Sequence, residues 1–145
     1  MKILLDISAS SALMRGHADV ADRVRQAEGV ILSTVVGGEL LFGFRAGRRL
    51  DENQRQFRKF LDNPYVSVLA VSLVTADRFG RIAANLRAKG RPILSNDMWI
   101  AAYALESGAE LLFFDEHFAK PSTVSSGRGF SPGHSQGPPR AFDRR

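Results

Sequence analysis

The stretch "KILLD", residues 2–6, sets Ile3, Leu4 and Leu5 ahead of an acid, Asp6. Three apolar residues in a row are too few for a helix face and read as a short strand buried on both sides. The design returns late in the chain, where "LLFFD", residues 111–115, is again an apolar run closing on an aspartate. Between the two, "VIL" at 30–32 and the alternating "VSVLAV" at 66–71 read as further strands.

The segments between these runs carry helical patterns. Ser8, Ser10 and Ser11 offer caps for a short helix, and "HADVADRVRQAEG" reads as a second, closed by Gly29. Ser33 or Thr34 caps "VVGGELLFGF", and "LDENQRQFRKFLDNP" sets Leu50, Phe57 and Leu61 on one stripe before Pro64. "TADRFGRIAANLRAKG" places Ala76, Phe79, Ile82, Ala83 and Leu86 on one face. "SNDMWIAAYA", residues 95–104, opens a last helix that ends at Gly108. Strands alternating with helices describe an α/β domain with a mostly parallel central sheet flanked by helices. After Phe118 the sequence turns to Pro, Gly and Ser. Residues 1–118 are therefore expected to fold, and 119–145 to form a disordered basic tail without a closing strand.

The 145 residues include no cysteine and three histidines, which removes disulfides, thiolate zinc and thiol catalysis. Any metal would sit among oxygens, favouring Mg2+ or Mn2+. No apolar run approaches a membrane span, and the N-terminus meets an acid too soon for a signal peptide, so a cytoplasmic protein without a membrane partner is expected. Much of the net charge of +5 belongs to the tail, where five Lys/Arg face Asp143 alone.

In a parallel sheet the carboxyl ends of the strands open on one edge, where ligand sites gather. Asp6 and Asp115 end strands, Asp97 opens a helix, and Glu39 lies one to two turns into the helix after the second strand. Each has an ordinary alternative: Asp6 and Asp97 as helix caps, Asp115 as the start of a turn. Glu39 is harder to explain so, because it stands among Val35, Val36, Leu40 and Leu41, where an unpaired charge is costly. Gly37 and Gly38 ahead of it each cost a helix about 1 kcal/mol against alanine, which points to something approaching that backbone closely. Four acids together would repel one another unless a divalent cation joined them. A set of acids without His or Cys matches in-line phosphodiester hydrolysis.

"LLDISA", "GELLFG" at 38–43, "SNDMWIAA" at 95–102 and "FFDEHF" at 113–118 together resemble, in order and spacing, the PIN domain, and within it the VapC toxins of VapBC toxin–antitoxin modules. The resemblance covers roughly residues 1–118. It implies a three-layer fold and a Mg2+- or Mn2+-dependent endoribonuclease, homodimeric, held inactive by a VapB-type antitoxin. It implies that Asp6, Glu39, Asp97 and Asp115 form the acidic site, with Asp6 and Asp97 the usual metal-binding pair. Ser95 matches a position usually held by a hydroxyl residue, and Ser8, Ser95 and Asn96 are expected to support the acids through hydrogen bonds. Ile7 stands where a hydroxyl residue commonly follows the first acid, with Ser8 next in line.

Two basic stretches flank these motifs: "FGFRAGRR" with Arg45, Arg48 and Arg49, and "LRAKGR" with Arg87, Lys89 and Arg91. Both are candidates for RNA phosphates, with a solvated helix end as the alternative for each. Phe42 and Phe44 fit a core or a dimer contact better than a stacking platform. Two other functions compete. A phospho-acceptor receiver domain shares the acidic pocket but needs a late lysine, for which Lys120 is the candidate. A decayed toxin would bind antitoxin or RNA without cleaving.

Overall fold

A computed structural model describes residues 1–91 and 94–125. Its strands are β1 (Lys2–Leu5), β2 (Gly29–Ser33), β3 (Val66–Leu69), β4 (Glu110–Asp115) and β5 (Lys120–Val124). The helices are α1 (Ile7–Met14), α2 (Ala18–Gln26), α3 (Thr34–Ala46), α4 (Leu50–Leu61), α5 (Leu73–Ala88) and α6 (Ser95–Ser107). The five strands form one sheet in the order β3-β2-β1-β4-β5. β1 pairs in parallel with both β2 and β4, and β3 extends the parallel set beyond β2. None of the described helices is long and apolar enough to cross a membrane.

Alternation along the central strands feeds two cores, one on each face of the sheet. Leu4, Ile31, Leu32 and Leu111 pack with Val36, Leu40 and Phe44 of α3, Phe57 of α4, and Ile100, Tyr103 and Ala104 of α6. Ile3, Leu5, Val30, Leu112 and Phe114 pack on the other side with Ala9 and Ala12 of α1 and Val20 of α2. The expected α/β layers follow from this division. Phe44 and Phe57 meet edge to face at 5.9 Å. Phe42, by contrast, is 70% exposed.

Several expectations need correction. α1 is capped by Asp6, while Ser8 and Ser10 lie buried inside the helix. Gly29 opens β2 and closes no helix, since α2 already ends at Gln26. Added Cβ atoms at Gly37 and Gly38 would meet nothing within 4 Å, so no described side chain occupies the space that these glycines leave open. The edge drawn at Phe118 is also too early: β5 lies antiparallel on β4, from Asp115↔Lys120 to Leu111↔Val124. "KPSTV" carries little strand signal because an edge strand held by backbone pairing needs little apolar patterning. The remainder of the expected tail, residues 126–145, lies outside the described residues. Ser33 does cap α3, its Oγ accepting from the Val36 N–H at 3.2 Å. Gly108 ends α6 with φ of +66°, a left-handed conformation that favours glycine.

Candidate active site

The strand order reverses at β1. From there the chain moves outward through β2 to β3, then returns to place β4 on β1's other side. Such a switch point leaves a crevice at the carboxyl ends of the two neighbouring strands, because their following connections depart in opposite directions. Asp6 follows β1 and Asp115 ends β4, so both stand at that crevice.

Asp6 is held in place by the start of α1. Its Oδ1 accepts from the N–H groups of Ser8 at 2.5 Å and Ala9 at 3.2 Å, satisfying two donors of the first turn. The Ser8 hydroxyl donates to the same oxygen at 2.5 Å and accepts from the Phe114 N–H at 2.9 Å. The main-chain N–H of Asp6 itself donates to the Leu112 carbonyl at 3.0 Å. The acid is thus both a cap and a side chain locked onto β4. These bonds fall on Oδ1, which leaves Oδ2 outside the net. Ser8 supports the acid as expected. The donor on Phe114 is not legible in the sequence, because a main-chain N–H leaves no mark in residue type.

Asp97 answers differently. The residue capping α6 is Leu94, without a side-chain bond, so Asp97 in the first turn is not a cap. Beside it, Asn96 Nδ2 donates to Glu39 Oε1 at 3.1 Å and ties α6 to α3. Asn96 therefore supports Glu39. Ser95 is exposed at the start of α6, and none of the described hydrogen bonds joins its side chain to an acid.

Electrostatics bring three of the acids together. Burial pushes the Asp6 carboxyl above the usual carboxylate range, against the pull of its Ser8 and Ala9 hydrogen bonds, and the Asp97 charge adds to the rise. Glu39 is raised by burial too, and further by Asp97 and Asp6, while the Asn96 bond opposes the rise. Asp97 is raised by burial. Among the described residues, none of the ion pairs engages Asp6, Glu39 or Asp97. Asp115 is committed locally: its Oδ1 accepts from the N–H groups of His117 at 2.9 Å and Phe118 at 3.3 Å, forming the turn into β5. Its turn role is real and keeps it at the same edge.

Carboxylates that share a space, carry no basic partner and resist ionisation form a donor set suited to a hard divalent cation. They do not close into a finished cage. Among the described residues, no three His, Cys, Asp or Glu side chains lie close enough together to hold one ion. The donor chemistry fits a cation, and side-chain rotation would be needed to complete its shell.

The basic stretches part company. Arg45 lies six residues after Glu39 on α3, roughly 9 Å further along the axis and away from the acids at 1.5 Å per residue. Arg48 and Arg49 lie beyond it, exposed. Arg87, Lys89 and Arg91 are exposed at the end of α5, just ahead of the α6 mouth that carries Asn96 and Asp97.

Residues 3–123 match the family model of the PIN domain. Ribonuclease VapC1 of Haemophilus influenzae (strain R2866) is 28% identical over 116 residues, covering 77% of this chain and 85% of that protein. The structure of VapBC-1 from nontypeable Haemophilus influenzae superposes with a TM-score of 0.67 at 29% identity, covering 77% of this chain and 84% of that one. VapBC2 from Rickettsia felis, bound to a DNA fragment from its promoter, gives a TM-score of 0.70 at 21% identity, covering 81% and 91%. At that identity the second likeness speaks for the fold alone.

Proposed function

This chain belongs to the PIN-domain family, and from that premise we propose that it is a metal-dependent endoribonuclease, the toxin of a VapBC-type toxin–antitoxin module. The observation that carries the reading is the set of three mutually repelling, partly buried carboxylates at the switch point, without a basic partner among the described residues. The similarity to Ribonuclease VapC1 supports RNA as substrate. The similarity to VapBC-1 of nontypeable Haemophilus influenzae supports a VapB-type antitoxin as partner.

Asp6, Glu39 and Asp97, with Asp115 at the same edge, are the residues that would hold Mg2+ or Mn2+. When bound, the cation supplies a Lewis acid that acidifies a water and offsets charge on the phosphodiester. The protein's own residues set the geometry. Ser8 fixes one Asp6 oxygen and leaves the other outside these hydrogen bonds, available to a cation. Asn96 does the same for Glu39 by occupying Oε1. Arg87, Lys89 and Arg91 neutralise phosphates next to the scissile one, whereas Arg45 near the end of α3 and Arg48 and Arg49 in the turn to α4 would meet only a longer substrate. The Ser8 hydroxyl supplies support that Ile7 cannot, which favours an active enzyme over a decayed one.

The phospho-acceptor reading loses ground. Its lysine candidate, Lys120, sits in the antiparallel edge strand with its ammonium 5.5 Å from the centre of the Phe118 ring. The nuclease reading is tested by incubating purified protein with total RNA and mapping the cut ends. Discrete internal cleavage that stops on chelation is expected, and intact RNA at every metal concentration would refute it.

A further inference from the structure

α5 is attached to the rest of the molecule in an unusual way. Of its 16 residues only Thr75 is buried, and the apolar stripe Ala76, Phe79, Ile82, Ala83 and Leu86 is merely half covered. What covers it is α6, against which Phe79 stacks on Trp99 with ring centres 4.0 Å apart. α6 is anchored in the core through Ile100, Ala101, Ala102, Tyr103 and Ala104. The basic segment Arg87–Arg91 at the far end of α5 is thus placed relative to the acids by the seating of α5 on α6.

One polar cluster pins the start of α5 to the last turn of α6. The fully buried Thr75 hydroxyl donates to Glu106 Oε2 at 2.5 Å, and Ser72 Oγ donates to Glu106 Oε1 at 3.3 Å. Ser72 and Thr75 also form a reciprocal capping box, Thr75 N–H to Ser72 Oγ at 3.3 Å and Ser72 N–H to Thr75 Oγ1 at 3.1 Å. A single carboxylate therefore engages both hydroxyls of a helix cap on the neighbouring helix. At the other end, Gly90 in the left-handed region with φ of +63° lets the Arg91 N–H donate back to the Leu86 carbonyl at 2.9 Å. The cations are thereby presented on a fixed turn ahead of α6.

We propose that the Ser72–Thr75–Glu106 latch is a positioning device for substrate: it seats α5 on α6 so that Arg87, Lys89 and Arg91 engage RNA phosphates beside the acidic site. The inference rests on the nuclease reading for its substrate, but the latch can be tested through binding alone. With the latch broken, the acids keep their places, because α6 stays in the core, and only the cationic turn is displaced.

The test compares the full chain with Thr75→Val, Glu106→Ala and the conservative Glu106→Gln, whose amide oxygen still accepts from Thr75. Affinity for a labelled single-stranded RNA oligonucleotide is read by fluorescence anisotropy in chelator. Cleavage of that RNA and of the small diester bis(p-nitrophenyl) phosphate is followed with Mn2+. Thr75→Val and Glu106→Ala should weaken RNA binding and raise KM for RNA roughly tenfold, the scale of a few lost phosphate contacts, leaving the rate on the small diester unchanged. Glu106→Gln should behave like wild type. Trp99, the only tryptophan, reports the altered α5–α6 contact by its emission. Unchanged RNA affinity in a latch variant with altered Trp99 emission would overturn the proposal, as would equal losses on RNA and the small diester. Should both latch variants fail to fold, the surface triple variant Arg87→Ala, Lys89→Ala, Arg91→Ala decides: RNA affinity equal to wild type overturns the proposal, and a roughly tenfold loss supports it. A wild type that binds RNA without cleaving it would count against the nuclease reading and leave the binding test standing.

Discussion

Asp97 and Asp6 sit at the same site for different local reasons, and their variants should separate those reasons. Asp97 caps nothing, so Asp97→Asn should remove a cation ligand without disturbing α6. Changes around metal ligands typically cost 10–100-fold, so loss of a ligand should lower RNA cleavage by more than about 100-fold. Without metal the same variant should be more stable than wild type. Burial raises the Asp97 pKa in the folded protein, so the native state holds its proton more tightly than the unfolded chain does. Stability therefore falls as pH rises from the ordinary carboxylate range through the raised value, and the penalty is complete above it. In chelator, the melting-temperature advantage of Asp97→Asn should be largest at neutral pH and vanish in acid; an advantage independent of pH would contradict the assignment. Ser8→Ala breaks the link between Asp6 and the Phe114 N–H. Cleavage should drop ~10–100-fold with weakened cation affinity, and unchanged affinity by calorimetry would show that the link is idle. Sequence made these acids and Ser8 legible, because charge among apolar neighbours is conspicuous. It could not tell which acid was also a cap, since capping depends on where the preceding strand stops.

β5 shows where element-level reading fails. β1, β2, β3 and β4 were visible because central or alternating strands write their burial into residue type, and the helix ends at Ser33 and Gly108 carry local chemistry. "KPSTV" has one strongly apolar residue and a proline, and it joins the sheet through main-chain pairing with β4. Cutting the chain after Phe118 should bare the β4 edge, alongside the buried Leu111, Leu112 and Phe114, and should lower the melting temperature or cause aggregation. A cut after Ser125 should leave the melting temperature unchanged and remove four arginines against one aspartate, weakening low-salt RNA binding only. Equal melting of wild type and the shorter fragment would mean that β5 contributes nothing. At Gly37 and Gly38 composition signals an open backbone, and no described part of the chain fills the space a side chain would take there.

At the scale of the molecule, a 3-2-1-4-5 sheet places the crevice between β1 and β4 and brings acids from four distant segments to one edge. Among the described residues several large apolar side chains are exposed, Phe42 by 70%, Leu73 by 89% and Val74 by 54%. Isolated exposed residues are ordinary, but so many large ones favour the homodimer that the family resemblance implies. Light scattering should give twice the chain mass at micromolar concentration, and a monomer mass across a wide range would count against it. On the proposed function, the carboxylates at the crevice bind a divalent cation on which RNA cleavage depends. The most direct test is calorimetric titration of Mn2+ into wild type and Asp97→Asn, with RNA cleavage assayed on the same samples. Wild type should bind the ion and cut RNA, while the variant, still folded, should lose both together. RNA cleavage by Asp97→Asn at the wild-type rate, or wild-type cleavage that persists in chelator, would rule out a metal-dependent nuclease built on these acids.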